Sequence, residues 1–221
     1  MTKPAERDRR FLPNALATVA TKARDASGGI ATGSDPAHPL ICGYAAVFYN
    51  PNDAGTEFEL YPGFVERIDP HAFDRAVRDD DVRGLFNHDP SQILGRNKSG
   101  TMTLRVDSKG LYYEIDPPAT TDAKRVTVAL ERQDVTGSSF MFDIEVDEYV
   151  RDGDRVIRTI KQAILYDVGP VTFPAYTAAT STLSQRSLDG FKAVAAKVAD
   201  PIKQGRDFNL AKRQLQLLNI T

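Results

Sequence analysis

Cysteine and histidine are the scarcest reactive residues in this 221-residue chain, which has one Cys and three His. A single cysteine, Cys42, excludes an intramolecular disulfide and is typical of a reducing compartment. Because Cys42 lies in the apolar run LICGYAAVF, we expect a buried and unreactive thiol. The thiols and imidazoles are too few for a structural zinc site, and no zinc-binding spacing occurs. We therefore expect neither a metal nor a cofactor.

Long apolar runs and an excess of one charge are also missing. No stretch approaches the roughly 18 apolar residues of a membrane span. Pro13, Asn14 and two threonines interrupt the apolar part of the N-terminus, which is therefore unlike a signal peptide. The net charge is −2 and the pI is near 5.9, so neither nucleic acid nor an anionic membrane is an expected partner. The expected location is a cytoplasm, or a particle assembled there.

The chain does contain enough apolar sequence, 41%, for one domain with appendages or two small domains. Alternating apolar and polar residues predict many strands. These strands are LICGYAAVFYN, EFELYPGFVERI with a turn at Pro62-Gly63, a hairpin around Asp107–Gly110, and a hairpin that joins SSFMFDIEVDEYV to RVIRTIKQAILYDVGPVTF through RDGD. A further first strand is possible in ALATVATKA, whereas residues 1–15 are charged and are expected to be loose.

Two helices are predicted between these strands. The first covers 69–77, with Asp69 as the N-cap and Pro70 at the first helical position. The second covers 122–133, an amphipathic stretch that begins near Asp122. The pattern as a whole indicates a β-rich domain over about 40–176, which follows a Gly/Ser/Pro-rich connector and precedes a Ser/Thr/Ala linker with short amphipathic helices.

The segment VTGSSFMFDIEV raises the question of a nucleophile, because two serines precede a strand-like run. A serine hydroxyl needs a neighbouring base, most often histidine. His38 lies in the connector and His71 in the first turn of a predicted helix, so both are expected on the surface. His88, in LFNHDP, ends an apolar strand at a loop, where catalytic side chains commonly lie. Taken alone, His88 and Ser139 are more often structural residues, and spacing cannot identify a triad.

Six segments, in this order and at these intervals, resemble the prohead maturation proteases of tailed phages, which are distant relatives of the herpesvirus assembly proteases. These segments are GYAAVFYN, FVERIDPHAFDRAV, VRGLFNHDPSQILGR, GLYYEIDPP, VTGSSFMF and LYDVGPVTFPAYTAAT. The resemblance covers about residues 40–180. It implies an α+β, β-rich fold: a small, mostly antiparallel β-barrel flanked by a few helices, with flexible N- and C-terminal tails.

The resemblance also implies a set of catalytic residues. The histidine of the family's NHD segment corresponds to His88, and its serine to Ser139, with Ser138 as the second choice for the nucleophile. The acidic third member corresponds to Asp167. In the herpesvirus relatives a second histidine fills that role, and this chain has no histidine after His88. The herpesvirus relatives also have paired arginines after the third member, which VGPVTFPAY lacks, so a backbone N–H is expected to stabilise the oxyanion.

Other acidic residues near these segments have a simpler interpretation. Asp143 and Glu145 follow Ser139 on the same predicted strand and are alternatives for the third role, although hydrated surface carboxylates are expected there. Asp89 is expected to form a turn with Pro90.

The resemblance implies a serine endopeptidase that cleaves the scaffold, or the scaffolding segment of the major capsid protein, and also itself, inside the procapsid in the host cytoplasm. The major capsid protein and further copies of this chain are then its partners. The division of the chain would be 1–39 for an N-terminal tail with a possible strand, 40–180 for the protease domain, and 181–221 for a linker and helical tail that serves packaging. The alternative function is a non-enzymatic internal scaffold module with a protease-like barrel.

Overall fold

The computed structural model describes residues 8–21 and 39–173, and within the first range it describes side chains only at 17–19. The strands are β1 (Asp8–Thr21), β2 (Pro39–Val47), β3 (Phe58–Tyr61), β4 (Phe64–Ile68), β5 (Arg83–Leu85), β6 (Ile93–Arg96), β7 (Met102–Val106), β8 (Gly110–Ile115), β9 (Gly137–Asp152) and β10 (Arg155–Val171). The α-helices are α1 (Asp74–Asp79) and α2 (Thr121–Glu131), and short 3₁₀ turns cover Ala54–Thr56 and Asn97–Ser99.

Eight of these strands follow one hydrogen-bonded path in the order β3-β4-β10-β9-β1-β2-β8-β7. Strand β5 lies off this path and pairs with β10 and with β6. The pairs of β10 with β4 and with β5 are parallel, and the other pairs are antiparallel. The predicted β-rich, mostly antiparallel fold with few helices is therefore confirmed. Strands β3 and β7 are the two ends of this path, and among the described strands they do not pair with each other, so a closed barrel stays a prediction.

The β9–β10 hairpin is the longest feature of the sheet, and it was predicted from RDGD. Gly153 has φ of 59°, a left-handed conformation that glycine adopts without strain, and it allows the tight turn between the two strands. The ladder runs from Arg155 opposite Asp152 to Val171 opposite Gly137. Near its end, Gly169 lies opposite Ser139. The hairpin therefore brings the candidate serine next to the segment that contains Asp167.

An aromatic cluster anchors this part of β9 in the core. Phe140 and Phe142 are fully buried, and their rings stack with centroids 4.8 Å apart. Phe140 also contacts the ring of Phe73 edge-on at 5.6 Å. Because side chains alternate along a strand, Ser138 points to the core side of β9 with Phe140, and Ser139 points to the opposite face.

The predicted helix over 69–77 is wrong at its start. The chain forms turns from Pro70 to Phe73, and α1 begins only at Asp74. The Asp69 carboxylate does accept a backbone hydrogen bond, from His71 at 2.9 Å, but the Ala72 N–H then donates to the Asp69 carbonyl at 3.0 Å. In these short-range bonds, the hydrogen-bonding groups of Asp69 close a turn instead of capping a helix. Ala72 and Phe73 are buried in the core and do not continue a helix.

The second predicted helix and the first strand differ from expectation only at their ends. Helix α2 covers 121–131, and Thr120 is its N-cap, since its side chain accepts from the Ala123 N–H at 3.3 Å. Strand β1 begins at Asp8, so the expected loose segment over 1–15 is wrong for 8–15. Cys42 is buried, as predicted. The connector up to residue 38, with His38, and the predictions for 174–221 lie outside the described residues.

Candidate active site

His88 lies in the turn that follows β5. It has φ of 57° and the preceding Asn87 has φ of 55°, so two consecutive non-glycine residues adopt the left-handed conformation. Such residues are uncommon and persist only where the surrounding structure holds them. The turn is closed by the Asp89 N–H, which donates to the Phe86 carbonyl at 3.0 Å.

Asn87 connects this turn to the end of β10 by hydrogen bonds. Its backbone N–H donates to the Pro170 carbonyl at 3.0 Å, and its side-chain amide donates to the Thr172 hydroxyl at 3.0 Å. In the other direction, the Thr172 N–H donates to Asn87 Oδ1 at 2.8 Å. Three hydrogen bonds therefore position the residue before His88 against the strand that carries Asp167. Asn87 was not among the site residues predicted from the sequence; the signal was its residue type, since asparagine tolerates the left-handed conformation.

Gly169 allows β5 and β10 to approach closely at this point. A Cβ atom on Gly169 would lie 2.0 Å from the Leu85 carbonyl oxygen, which real structures do not tolerate. Leu85 ends β5, three residues before His88. Because residue 169 has no side chain, the histidine turn can lie close to the β9–β10 hairpin.

The structure brings His88, Ser139 and Asp167 together in a line. His88 Nε2 is 2.5 Å from Ser139 Oγ, and His88 Nδ1 is 2.5 Å from Asp167 Oδ1. All three are buried, with exposed fractions of 8% for His88, 0% for Ser139 and 4% for Asp167. In the sequence, Ser139 is 51 positions and Asp167 is 79 positions away from His88, so only the fold makes these residues neighbours.

The partners of His88 determine which nitrogen carries its proton. An ionised carboxylate only accepts hydrogen bonds, so Nδ1 must be the donor toward Asp167. Nε2 of the neutral ring is then an acceptor, and the Ser139 hydroxyl donates to it. A serine whose proton faces a neutral imidazole nitrogen can be deprotonated as it attacks a carbonyl carbon.

Ser138, the second choice for the nucleophile, faces away from His88. Its hydroxyl donates to the Tyr113 hydroxyl at 3.1 Å, and the Gly169 carbonyl lies 3.4 Å away. Both Ser138 and Tyr113 are fully buried, and burial raises the pKa of Tyr113 above its ordinary value. Ser138 therefore lies in a neutral hydrogen-bonded group on the core side of β9. Tyr113 was not among the site residues predicted from the sequence, because it alternates into the core on β8 like an ordinary apolar residue.

The other acidic and histidine candidates have partners of their own. Asp143 accepts from the Tyr166 hydroxyl at 2.7 Å, and Glu145 accepts from the Gln162 amide at 2.7 Å. The Asp89 carboxylate accepts from the Ser91 hydroxyl and N–H, and these bonds lower the pKa of Asp89. His71 is exposed and lies 2.9 Å from Asp74. None of these contacts involves His88, and Asp89 and His71 lie where the sequence placed them, in a turn and on the surface.

In the described ranges, no group of three or more His, Cys, Asp or Glu side chains is arranged to hold a metal ion. Neither described helix has the length and apolar composition needed to cross a bilayer.

Comparison with known proteins adds independent information. The family described as caudovirus prohead serine protease matches residues 27–194 of this chain. Among solved structures, the bacteriophage T4 capsid assembly protease, gp21, is similar at 11% sequence identity and a TM-score of 0.42, with 74% of this chain and 98% of that chain covered. No curated protein sequence matches significantly. Because the family match spans well over half of the sequence, the chain belongs to the caudovirus prohead serine proteases.

Proposed function

We propose that this chain is a prohead maturation serine endopeptidase in which Ser139 is the nucleophile, His88 the general base and Asp167 the residue that orients the base. The observation that carries the proposal is the buried line from Ser139 Oγ through the His88 ring to Asp167 Oδ1, with 2.5 Å at each step. The family membership supports the same reaction class. The orientation of Ser138 toward Tyr113 supports Ser139 as the nucleophile over its neighbour.

The reaction follows from the hydrogen bonds. As Ser139 Oγ attacks the scissile carbonyl carbon, its proton passes to His88 Nε2, and the ring becomes an imidazolium. The Asp167 carboxylate accepts from Nδ1–H and stabilises that positive charge in a site from which water is largely excluded. His88 then gives the proton to the departing amine. A water molecule, activated by the same nitrogen, releases the acyl group and restores the Ser139 hydroxyl.

The proposed substrates are the scaffold or the scaffolding segment of the major capsid protein, and the chain itself, cleaved inside the procapsid in the host cytoplasm. Family membership supports this assignment. We also propose that the sheet closes as a barrel and that the chain divides into 1–39, 40–180 and 181–221. Strand β1 would then be a tail segment that joins the sheet of the protease domain. The net charge of −2 supports protein partners over nucleic acid or membrane.

Co-expression with the capsid protein of the same phage tests the proposal. The wild-type chain is expected to shorten the capsid protein, and Ser139→Ala to leave it at full length. Ser138→Ala is the matched control, since it removes an equally buried hydroxyl from the other face of β9 and should leave cleavage intact. Cleavage that persists in Ser139→Ala would refute the assignment. Normal particles with no cleavage by the wild-type chain would favour the non-enzymatic scaffold module.

A further inference from the structure

The face of the sheet that carries Ser139 and Asp167 continues beyond β10 into β5 and β6. Met141 on β9 lies opposite Asp167 on β10. Asp167 in turn pairs with Arg83 on β5, and Arg83 pairs with Arg96 on β6. Residues that lie opposite one another on neighbouring strands point to the same face of a sheet. The proposed orienting residue and two arginines therefore form one row across three strands.

The contacts of Gly84 show which face this row occupies. A Cβ atom on Gly84 would lie 2.7 Å from the buried side chain of Ile115, so position 84 faces the core. Because successive residues of a strand alternate, Arg83 points away from the core. Asp167 does the same, since the next residue, Val168, is fully buried. The arginines therefore lie on the outer side of the sheet, which is also the side of the proposed catalytic residues.

One carboxylate, that of Asp81, is shared by the two arginines. Arg96 donates from Nε to Asp81 Oδ1 at 2.7 Å and from Nη2 to Oδ2 at 2.6 Å, and Arg83 Nη2 lies 3.1 Å from Oδ2. The hydrogen bonds from Arg96, together with the charge of Arg83, hold the pKa of Asp81 below its usual value. Among the described residues, neither arginine has an ion pair with another carboxylate. One positive charge is therefore left without compensation.

This charge is accessible from solvent and lies at a defined distance from the proposed nucleophile. The side chains of Arg83 and Arg96 are 42% and 43% exposed. Neighbouring strands lie about 4.8 Å apart and a residue advances about 3.3 Å along a strand, so the Cα atom of Arg83 is about 12 Å from that of Ser139. An extended peptide bound at Ser139 covers this distance in three or four residues.

We propose that Arg83 and Arg96 form a substrate-binding subsite for an acidic side chain that lies three or four residues from the scissile bond. This inference rests on the proposed function. Guanidinium groups offer paired N–H donors that match the two oxygens of a carboxylate. A substrate carboxylate at this position also offsets the charge that Asp81 leaves uncompensated. The ligand class is thus an extended peptide with a glutamate or an aspartate at that position.

The kinetic effect of this subsite follows from its distance to the reacting atoms. A contact three or four residues from the scissile bond is made equally in the bound substrate and in the transition state, so it lowers KM and leaves kcat unchanged. Because the arginines are partly exposed, the gain is modest, about 3–10-fold in kcat/KM, and it decreases as salt screens the charges.

Synthetic peptides that span the bond cut in the capsid protein test the subsite. Each position three or four residues before and after that bond carries either glutamate or its neutral isostere glutamine. One side of the bond is expected to show a kcat/KM about 3–10-fold higher for glutamate, through KM, with a smaller difference at high salt. If only the assembling capsid protein is cut, the same substitutions are made in it and its shortening is compared during co-expression.

Two variants then assign the preference to the arginines. Arg83→Gln and Arg96→Gln should each bring the rates for glutamate and glutamine peptides closer together, and Arg83→Glu should favour lysine at the same position. Arg105→Gln is the matched control, because Arg105 also pairs with one carboxylate, that of Asp107, but lies on β7 at the end of the strand path. It should keep the wild-type preference. Circular dichroism establishes that each variant is folded.

The possible results separate the subsite from the proposed function. Equal rates for glutamate and glutamine at every tested position in the wild-type chain would overturn the subsite and leave the proposed function in place. The same conclusion would follow from a preference that folded Arg83→Gln and Arg96→Gln both retain in full. A wild-type chain that cuts neither the peptides nor the capsid protein would instead refute the proposed function, and the subsite with it.

Discussion

Replacing Asp167 with asparagine should abolish most of the activity while leaving the fold intact. Asp167 accepts a hydrogen bond from His88 Nδ1 at 2.5 Å, with both residues buried. An asparagine has the same shape but is neutral, and it can offer its NH₂ group to the ring instead of an oxygen. Nε2 would then carry the proton and could not accept one from Ser139. In Ser-His-Asp enzymes this substitution lowers kcat about 10⁴-fold, which is about 5 kcal/mol of transition-state stabilisation.

The assay is the initial rate of capsid-protein cleavage, normalised to the folded fraction measured by circular dichroism. Asp143→Asn is the control, because Asp143 is also an acidic residue on β9, and its carboxylate accepts from the Tyr166 hydroxyl. It should keep its rate within a few-fold. An Asp167→Asn variant that retains wild-type cleavage would show that Asp167 does not orient the base. If Asp143→Asn lost cleavage activity and Asp167→Asn kept it, Asp143 would be the residue that orients His88.

Three further predictions concern the stability of the fold, and the first two also concern activity. Ser138→Ala should keep activity per folded molecule but lower the free energy of unfolding by about 1–3 kcal/mol, measured by urea denaturation, because buried Tyr113 loses its hydrogen bond. Gly169→Ala should cost about 1–3 kcal/mol and lower activity, since its Cβ would press on the Leu85 carbonyl before the histidine turn; unchanged stability and rate would contradict the close approach. Burial raises the pKa of Asp69, but hydrogen bonds from Lys161 and the His71 N–H outweigh it and hold this pKa below its usual value. The stabilisation that this lowered pKa gives the folded state is fully present above the pKa of the unfolded state, about 4, and is lost as pH falls through the lower pKa of the folded state. Asp69→Asn should therefore flatten the pH dependence of the free energy of unfolding in that range.

The hairpins were predictable because their signals are local. The alternation in β7 and β8 and the residues Asp107–Gly110 predict a turn that the structure contains, where the Asp107 carboxylate accepts from the N–H groups of Lys109 and Gly110. The same holds for RDGD between β9 and β10. In these cases turn chemistry and the period of two act over a few residues, so tertiary contacts only reinforce them.

The start of α1 shows where local signals fail. Asp69 and Pro70 carry the residue types of a helix start, yet the chain makes turns there, because burial of Ala72 and Phe73 determines the path. Strand β1 shows the same limit, since its charged beginning suggests a loose tail and its pairing with β9 depends on residues more than a hundred positions away. Burial and long-range pairing override local composition in both places.

The candidate site could be predicted only in part. The residues alone indicated His88 as the candidate base and one of two serines as the candidate nucleophile. The family resemblance favoured Ser139 over Ser138 and pointed to Asp167 as the third member. The choice between Ser138 and Ser139 depends on which face of β9 meets the core, which Phe140 and Phe142 determine through burial. The residue type of Asn87 was not enough to reveal its role, because that role depends on Thr172 and Pro170, which the fold brings to it from the far end of β10.

The central claim is that Ser139 is the nucleophile, and the most direct measurement is the position of a covalent label in the assembled particle. Particles containing the wild-type chain would be treated with a fluorophosphonate, digested and sequenced by mass spectrometry. We expect an adduct on the peptide that contains residues 135–146, placed by fragment ions on Ser139 and absent from Ser139→Ala particles. An adduct on Ser138, or label that persists in Ser139→Ala, would contradict it.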